Sequence, residues 1–143
     1  MHGILTFEHP ERHRQALLEF CDDETHALSR GPGDNRPRGE GWGEDSFDYA
    51  ILEDGVVVGL IQFQKLTSLT HVGFFISKEN RRKGILLSAW NALHQKYGMR
   101  FRAACWSHNT PAFAVLLAMG FKFTHHDRSK HGQTSNFELF VNS

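Results

Sequence analysis

The sequence predicts a mixed α/β fold, in which a central, mostly antiparallel sheet of about seven strands carries helices on both faces. Apolar residues recur at two periods along the chain, every second residue in some segments and every third or fourth in others, as strands and helices require. These segments follow one another in the order β-α-α-β-β-β-α-β-α-β-β. A chain of 143 residues can bury one sizeable core, so we expect a single domain over residues 1–143.

The first third of the chain is expected to form a strand, two helices and a long loop. A strand is predicted over Gly3–Glu8, and Pro10 can open the next helix because a first-turn proline loses no hydrogen bond. A second short helix is predicted over Glu24–Ser29. The segment from Gly31 to Asp45 is rich in Gly, Pro and charged residues, which indicates a loop. The apolar residues that define the first helix are Ala16, Leu17, Phe20 and Cys21.

The middle of the chain is expected to form a three-stranded antiparallel meander. Its strands are predicted over Phe47–Glu53, Val56–Leu66 and Leu69–Ser77, which are rich in β-branched and aromatic residues. Asp54-Gly55 separates the first two strands, and both residues accept the positive φ that a tight hairpin turn requires.

The last part of the chain alternates between helices and strands. A helix is predicted to begin after Gly84 and to end at Gly98, with one apolar face formed by Leu86, Ala89, Trp90, Leu93 and Tyr97. The elements that follow are a strand (Arg100–Trp106), a helix (Thr110–Met119), a strand (Phe121–Arg128), a turn (Ser129–Gly132) and a strand (Ser135–Val141).

The run Arg81-Arg82-Lys83-Gly84 places three cations and a glycine at the predicted start of that helix. The first turn of a helix has free N–H groups and a partial positive charge, and both favour an anion such as a pyrophosphate. Gly84 would let the anion approach the backbone, and the cations would add charge-assisted hydrogen bonds. The alternative is a solvated basic loop that caps a surface helix.

A second motif lies one helix and one strand further on. Asn109-Thr110-Pro111-Ala112 is followed in register by Met119-Gly120-Phe121, and Asn109 can cap the helix between them. Together the two motifs resemble those of the GCN5-related N-acetyltransferase superfamily, Arg/Gln-x-x-Gly-x-Gly/Ala and Asn-x-x-Ala-x-x-Leu-Tyr-x-x-x-Gly-Phe. The resemblance runs from the first strand to the end of the chain, because the order of the elements also agrees.

The resemblance implies an N-acyltransferase that transfers an acyl group, acetyl by default, from acetyl-CoA to an amine by direct attack in a ternary complex. Backbone N–H groups of the fourth strand, near Phe75 and Ile76, would polarise the thioester carbonyl. A general base would deprotonate the amine, and the candidates are His71 and His108. The residues implied in cofactor binding are Phe75, Ile76, Arg81, Arg82, Lys83, Gly84, Ile85, Leu86 and Asn109.

Two positions depart from the family pattern. Leu86 stands where a small residue is usual, and we expect its side chain to point into the core while its N–H remains available. Leu116 stands where the family has a tyrosine at the departing thiolate, and Cys105, Ser107 or a water molecule could substitute for it. These departures leave an alternative open, a catalytically weak or inactive module that binds CoA or a protein partner.

The distribution of charge along the chain bears on the acceptor. Residues 1–60 contain 13 acids and 5 bases, whereas residues 61–143 contain 3 acids and 11 bases. If the basic half serves the cofactor, the acids around the long loop could attract a cationic acceptor, at a site that Trp42, Glu44 and Asp45 would line. The alternative is that the two halves attract each other across the fold. The carboxylates concerned are Glu40, Glu44, Asp45, Asp48 and Glu53.

Other classes of protein agree less well with the sequence. No apolar run approaches the roughly 20 residues that span a membrane, and the N-terminus has no export signal, so we expect a cytoplasmic protein with Cys21 and Cys105 as free thiols. A net charge of zero argues against nucleic acid as a partner. Strand alternation would separate His125 from His126, so no metal site is expected. A monomer and a homodimer are both compatible with the sequence.

Overall fold

The computed structural model describes residues 2–21, 37, 39–40, 42 and 47–141. Its strands are β1 (Leu5–Glu8), β2 (Asp48–Glu53), β3 (Val56–Lys65), β4 (Thr70–Ile76), β5 (Arg100–Trp106), β6 (Lys122–Ser129) and β7 (Gly132–Phe140). Its α-helices are α1 (Arg14–Phe20), α2 (Ile85–Leu93) and α3 (Thr110–Ala118), and 3-10 helices span Pro10–His13, Lys78–Asn80 and His94–Tyr97. The order confirms the predicted mixed fold, while the helix predicted over Glu24–Ser29 lies outside the described residues.

All seven strands form one sheet in the order β1-β2-β3-β4-β5-β7-β6. The predicted meander of β2, β3 and β4 is confirmed, with each strand within one residue of its expected ends. The turn between β2 and β3 has Asp54 at φ 49° and Gly55 at φ 85°, the left-handed conformations that the Asp-Gly pair predicts.

Helices cover both faces of the sheet, as predicted. The larger core lies under α2 and α3, and its largest side chains are Trp90, Phe63, Phe101, Phe121 and Phe137. The smaller core lies under α1 and contains Leu17, Cys21, Ala50, Leu52, Leu60 and Phe75. The face of the sheet that packs against α1 is called the α1 face below.

The apolar face predicted for α2 is buried at all five of its positions. The helix itself is shorter than expected, because its α-helical part ends at Leu93 and a 3-10 turn carries the chain on to Tyr97. Gly98, at φ 107°, then ends the element in a conformation that side chains disfavour.

The last hairpin differs from the prediction at its turn. β7 begins at Gly132, not at Ser135, because Ser129 pairs directly with Gly132 and only two residues form the turn. β7 lies between β5 and β6, which leaves β6 as an edge strand with every residue exposed.

The described strands form one parallel pair, β4 with β5, and it is short. Thr70 pairs with Phe101 and His71 with Arg102, and no pairing follows toward the C-terminal ends of the two strands. We call the region between residues 72–76 of β4 and residues 103–106 of β5 the strand opening. The backbone groups that face it have no partner strand.

We expect Gly59→Ala to destabilise the protein by about 1–3 kcal/mol, the usual cost of overpacking. An added Cβ would lie 2.5 Å from the backbone oxygen of Phe75 and 2.6 Å from Ile76 Cδ1, so β4 would have to shift. Gly73→Ala is a matched control, since its Cβ would meet only Gln62 Oε1, at 3.8 Å. Urea unfolding measures both changes, and equal free energies of unfolding for the two variants would contradict the prediction.

Candidate active site

The basic run predicted to bind an anion connects β4 to α2 and has an unusual backbone conformation. Arg82 has φ 67° and Gly84 has φ 76°, both in the left-handed region. That conformation costs a residue other than glycine on the order of 1–3 kcal/mol, and such strain is concentrated at functional sites. A Cβ added at Gly84 would meet no atom within 4 Å, so the space beside this residue is open.

The three cations of this loop have different environments. Arg81 Nε donates to the backbone oxygen of Ile76 at 2.9 Å, which ties the loop to the end of β4. Lys83 Nζ donates to Asn80 Oδ1 at 2.9 Å and lies 3.7 Å from Glu53 Oε1. Arg82 is exposed and has no hydrogen-bond or ionic partner among the described residues. Arg82 is therefore the cation of the three with an unoccupied head group.

The N-terminus of α2 begins directly at this loop and has no cap from a side chain. Gly84 occupies the N-cap position, and the first helical hydrogen bond runs from Ser88 N to Gly84 O at 3.0 Å. The N–H groups of Ile85 and Leu86, in the first turn, have no partner in the described part of the chain. The Leu86 side chain is only 5% exposed, which confirms that it points into the core. The bulk of this leucine therefore does not obstruct the helix start.

Along β4, the N–H and C=O groups of every second residue point toward the strand opening. The carbonyl of Phe75 points at β3, since its oxygen lies 2.5 Å from an ideal Cβ on Gly59. The N–H and C=O of one strand residue point the same way, so Ile76 and Phe74 turn their N–H groups toward the opening. Of the two predicted backbone donors, Ile76 therefore faces the opening and Phe75 does not.

His71 lies where the strand opening begins, at the last rung of paired β4 and β5. Its side chain is on the α1 face, as is that of Phe75 four residues later. Arg102 Nε donates to His71 Nδ1 at 3.4 Å. Burial lowers the pKa of His71, and the positive charge of Arg102 lowers it further. His71 is therefore a neutral imidazole at pH 7, the form that a base requires.

His108 lies at the other end of the strand opening from His71. It follows the end of β5, is exposed, and stacks on Trp106 with ring centroids 6.1 Å apart. Since Trp106 is four residues beyond Arg102, the backbone positions of these two residues are about 13 Å apart along β5. The two candidate bases therefore lie at opposite ends of the strand opening.

Leu116, at the position of the family tyrosine, is fully buried and packs in the larger core. Of its predicted substitutes, Cys105 is also buried, which raises the pKa of its thiol to about 11. Ser107 has a more open position, with its Oγ 2.9 Å from Ser135 Oγ. His126 Nδ1 lies 3.2 Å from that same Ser135 oxygen and 3.4 Å from Ser107 Oγ.

The hydrogen-bonded group of Ser107, Ser135 and His126 could not be found from the sequence. A register shift between Phe123 and His125 in β6 moves the side chains that follow it to the other face of the strand. The bulge brings His126 beside Phe123, with ring centroids 4.7 Å apart, and onto Ser135. The sequence around this position carries no signal of a bulge.

Asn109 caps α3 as predicted, because its Oδ1 accepts a hydrogen bond from Ala112 N at 3.3 Å. Its Nδ2 has no partner among the described residues. The second motif therefore has a clear structural role at the helix start, and it leaves one amide donor next to the end of β5.

The residues predicted to line an acceptor site are only partly described. Trp42 packs on the ring of Phe75, with centroids 5.4 Å apart, whereas Glu44 and Asp45 lie outside the described residues. Among the other carboxylates, Asp48 is 3% exposed and accepts from Gln62 Nε2 at 3.2 Å. Glu53 accepts from Gly3 N at 2.8 Å and lies near Lys83. Asp48 and Glu53 are therefore engaged within the fold, and the contact of Glu53 with Lys83 joins the acidic and the basic half.

Within the described ranges, no group of three or more His, Cys, Asp or Glu side chains is arranged to hold a metal ion. No helix of this part of the chain is long and apolar enough to cross a membrane.

Comparison with known proteins establishes the fold family. No protein-family model matches the sequence, and no curated protein matches it. An acetyltransferase from Salmonella typhimurium that modifies the N-terminal serine of ribosomal protein L7/L12 aligns at 14% identity over 96% of this chain and 95% of its own, with a TM-score of 0.77. A GNAT-family acetyltransferase from Bacillus anthracis aligns at 16% identity over 98% and 96%, with a TM-score of 0.75.

A third similar structure is RimJ from Mycobacterium smegmatis in complex with CoA-disulfide. It is 16% identical over 96% of this chain and 82% of its own, with a TM-score of 0.73. Alignments with a probable acetyltransferase and with a RimL structure cover only 60% and 61% of those proteins' lengths. At these identities the comparisons establish the fold, which is that of the GNAT superfamily, and the predicted resemblance is confirmed at this level.

We expect Arg102→Gln to raise the pKa of His71, because it removes a cation that favours the neutral ring. The pKa should remain below its ordinary value, since burial contributes the larger shift. NMR titration of the His71 ring, assigned by its absence in His71→Ala, measures this. Arg100→Gln removes the same charge from a position about 7 Å along the strand from Arg102, and it should change the pKa of His71 less. An unchanged pKa in Arg102→Gln would contradict the prediction.

Proposed function

We propose that this chain, which has the fold of the GNAT acetyltransferases, transfers an acetyl group from acetyl-CoA to an amine. The observation that carries the proposal is the uncapped N-terminus of α2 behind a basic loop that holds both Arg82 and Gly84 at positive φ. Helix starts of this kind bind phosphate groups, and acetyl-CoA carries three of them. The wide end of the strand opening lies beside the same loop.

The residues of the chain fit the parts of the cofactor. The N–H groups of Ile85 and Leu86, with the Arg82 guanidinium, would hold the pyrophosphate. The N–H groups of Phe74 and Ile76 would hold the extended arm in the strand opening, in place of the missing partner strand. When bound, acetyl-CoA supplies an activated acyl group. The neighbouring structures of RimJ with CoA-disulfide and of the acetyltransferase MccE with acetyl-CoA support CoA as the class of ligand.

His71 is the base we favour over His108. A cofactor whose phosphates lie at the open end of the strands would extend toward the end where β4 and β5 are paired. His71 is at that end and on the α1 face, and its lowered pKa keeps it unprotonated at neutral pH. It would accept the proton of the amine at Nδ1 as the new amide bond forms, once the N–H of Arg102 has released this nitrogen.

The departing thiolate would receive its proton from Ser107 or from water. Leu116 has no donor, and the Cys105 thiol is buried with a pKa raised to about 11. Ser107 is hydrogen-bonded to Ser135 and close to His126, so a proton that it gives up can be replaced through this group. A binding module without catalytic activity remains the competing function, and the position of Leu116 is what favours it.

We expect acetyl-CoA to stabilise the protein, by roughly 2.7 kcal/mol at about 100 times the dissociation constant. Gly84→Asp should abolish this effect, because a carboxylate would face the phosphates. Gly84→Asn is the matched control, since asparagine has the same size and a similar tolerance for positive φ but no charge. Thermal melts and calorimetry measure the effect. Absence of binding to the unmodified chain at millimolar acetyl-CoA would overturn the proposed function.

We also expect the rate of acetyl transfer to fall with decreasing pH through the pKa of His71. Because this pKa is lowered in the folded protein, the loss should occur below the pH at which an ordinary histidine titrates. His71→Ala should slow the reaction most at neutral pH and recover partly at high pH, where more of the amine is already neutral. A pH–rate profile that His71→Ala leaves unchanged would exclude His71 as the base.

A further inference from the structure

We propose that Arg102 binds an anionic group of the acceptor, a carboxylate or a phosphate that lies a few bonds from the reacting amine. The inference rests on the proposed acetyltransferase function and names the chemical class of its acceptor. Three features of Arg102 carry it: its place beside the candidate base, its lack of a carboxylate partner in the described part of the chain, and the effect of its charge on different amines.

Arg102 lies directly opposite His71 in the last paired rung of β4 and β5. Residues paired in this way send their side chains to the same face, so both lie on the α1 face where the strand opening begins. Arg102 is exposed, whereas His71 is half-buried. An amine bound at His71 would therefore lie close to the guanidinium group.

The guanidinium of Arg102 has one partner among the described residues, the Nδ1 of His71 at 3.4 Å. The nearest carboxylate in register is Glu138, opposite Arg102 on β7, but the two side chains form no ion pair. The Nε–H points to β4, away from Glu138. The remaining N–H donors of Arg102 are thus available to a ligand.

A cation at this place distinguishes between acceptors. It repels an ammonium group that approaches His71, and it attracts a carboxylate or phosphate, which a guanidinium can bind through two parallel hydrogen bonds. Of the acids predicted to attract a cationic acceptor, Asp48 and Glu53 are engaged elsewhere in the described chain, and the third described one, Glu40, is exposed. The local charge therefore favours an amine that carries its own anion.

The test uses pairs of amines that differ in the anion alone. The pairs are β-alanine with β-alaninamide, phosphoethanolamine with ethanolamine, and the dipeptide amides Ala-Asp and Ala-Asn. Binding to the CoA-loaded protein is measured by calorimetry, and acetyl transfer is measured as kcat/KM from the release of free CoA. We expect at least one anionic member to be preferred, and the pair that responds identifies a carboxylate metabolite, a phosphate or an acidic peptide as the source.

Arg102→Gln should reduce that preference by about 10- to 100-fold, the usual effect of losing one charge-assisted hydrogen-bonded pair. Arg102→Lys should retain part of it, because the charge remains but the two-pronged geometry is lost. Arg100→Gln is the matched control: it lies two residues earlier on the same strand face, is exposed, and carries the same charge. It should change the preference little.

The outcomes separate this inference from the proposed function. If CoA does not bind the unmodified chain, the proposed function fails. If CoA binds, any one of three results overturns the role of Arg102 and leaves the proposed function standing. The first is equal binding of the two members of every pair, and the second is no binding of any anionic member at millimolar concentration. The third is a preference that survives in Arg102→Gln. If Arg100→Gln reduced the preference as much as Arg102→Gln does, the overall charge of the basic half would be attracting the anion. That result would also overturn the role of Arg102.

Discussion

The loss of pairing between β4 and β5 after two rungs is the constraint on which the candidate site depends. A continuous parallel pair would use the N–H groups of β4 within the sheet, and nothing could insert between the strands. Because pairing stops at His71 and Arg102, the next backbone groups of β4 face the strand opening without a partner strand. Buried backbone groups require hydrogen bonds, so this sheet is incomplete until a ligand or water supplies them.

The loop at the wide end of the strand opening combines backbone strain with charge. Arg82 adopts a conformation that glycine would adopt more easily, and its guanidinium has no partner within the described ranges. Arg81 and Lys83 instead fix the loop to β4 and to the 3-10 turn before it. Of the three cations in this basic run, Arg81 and Lys83 thus hold the loop in place, whereas Arg82 is in a position to bind a ligand.

Much of the fold could be predicted from the sequence because its signals are local. The Asp54-Gly55 turn, the buried stripe of α2 and the Asn109 cap each depend on a few neighbouring residues. The strand order could not be predicted, since the insertion of β7 between β5 and β6 depends on contacts far apart in the chain. The arrangement of the site could not be predicted for the same reason. Arg102 lies opposite His71 because of the register between two strands, and the position of His126 depends on a bulge.

Glu53 links two parts of the molecule that are far apart in sequence. Its carboxylate accepts the N–H of Gly3 and lies beside Lys83, so the segment before β1 and the basic loop share one anion. A phosphate that draws Lys83 toward itself weakens its contact with Glu53. By thermodynamic reciprocity, if phosphate binding changes the attachment of the N-terminal segment by some factor, attaching that segment changes the affinity of the loop for phosphate by the same factor. The segment before β1 and the basic loop are in this sense two ends of one linked element.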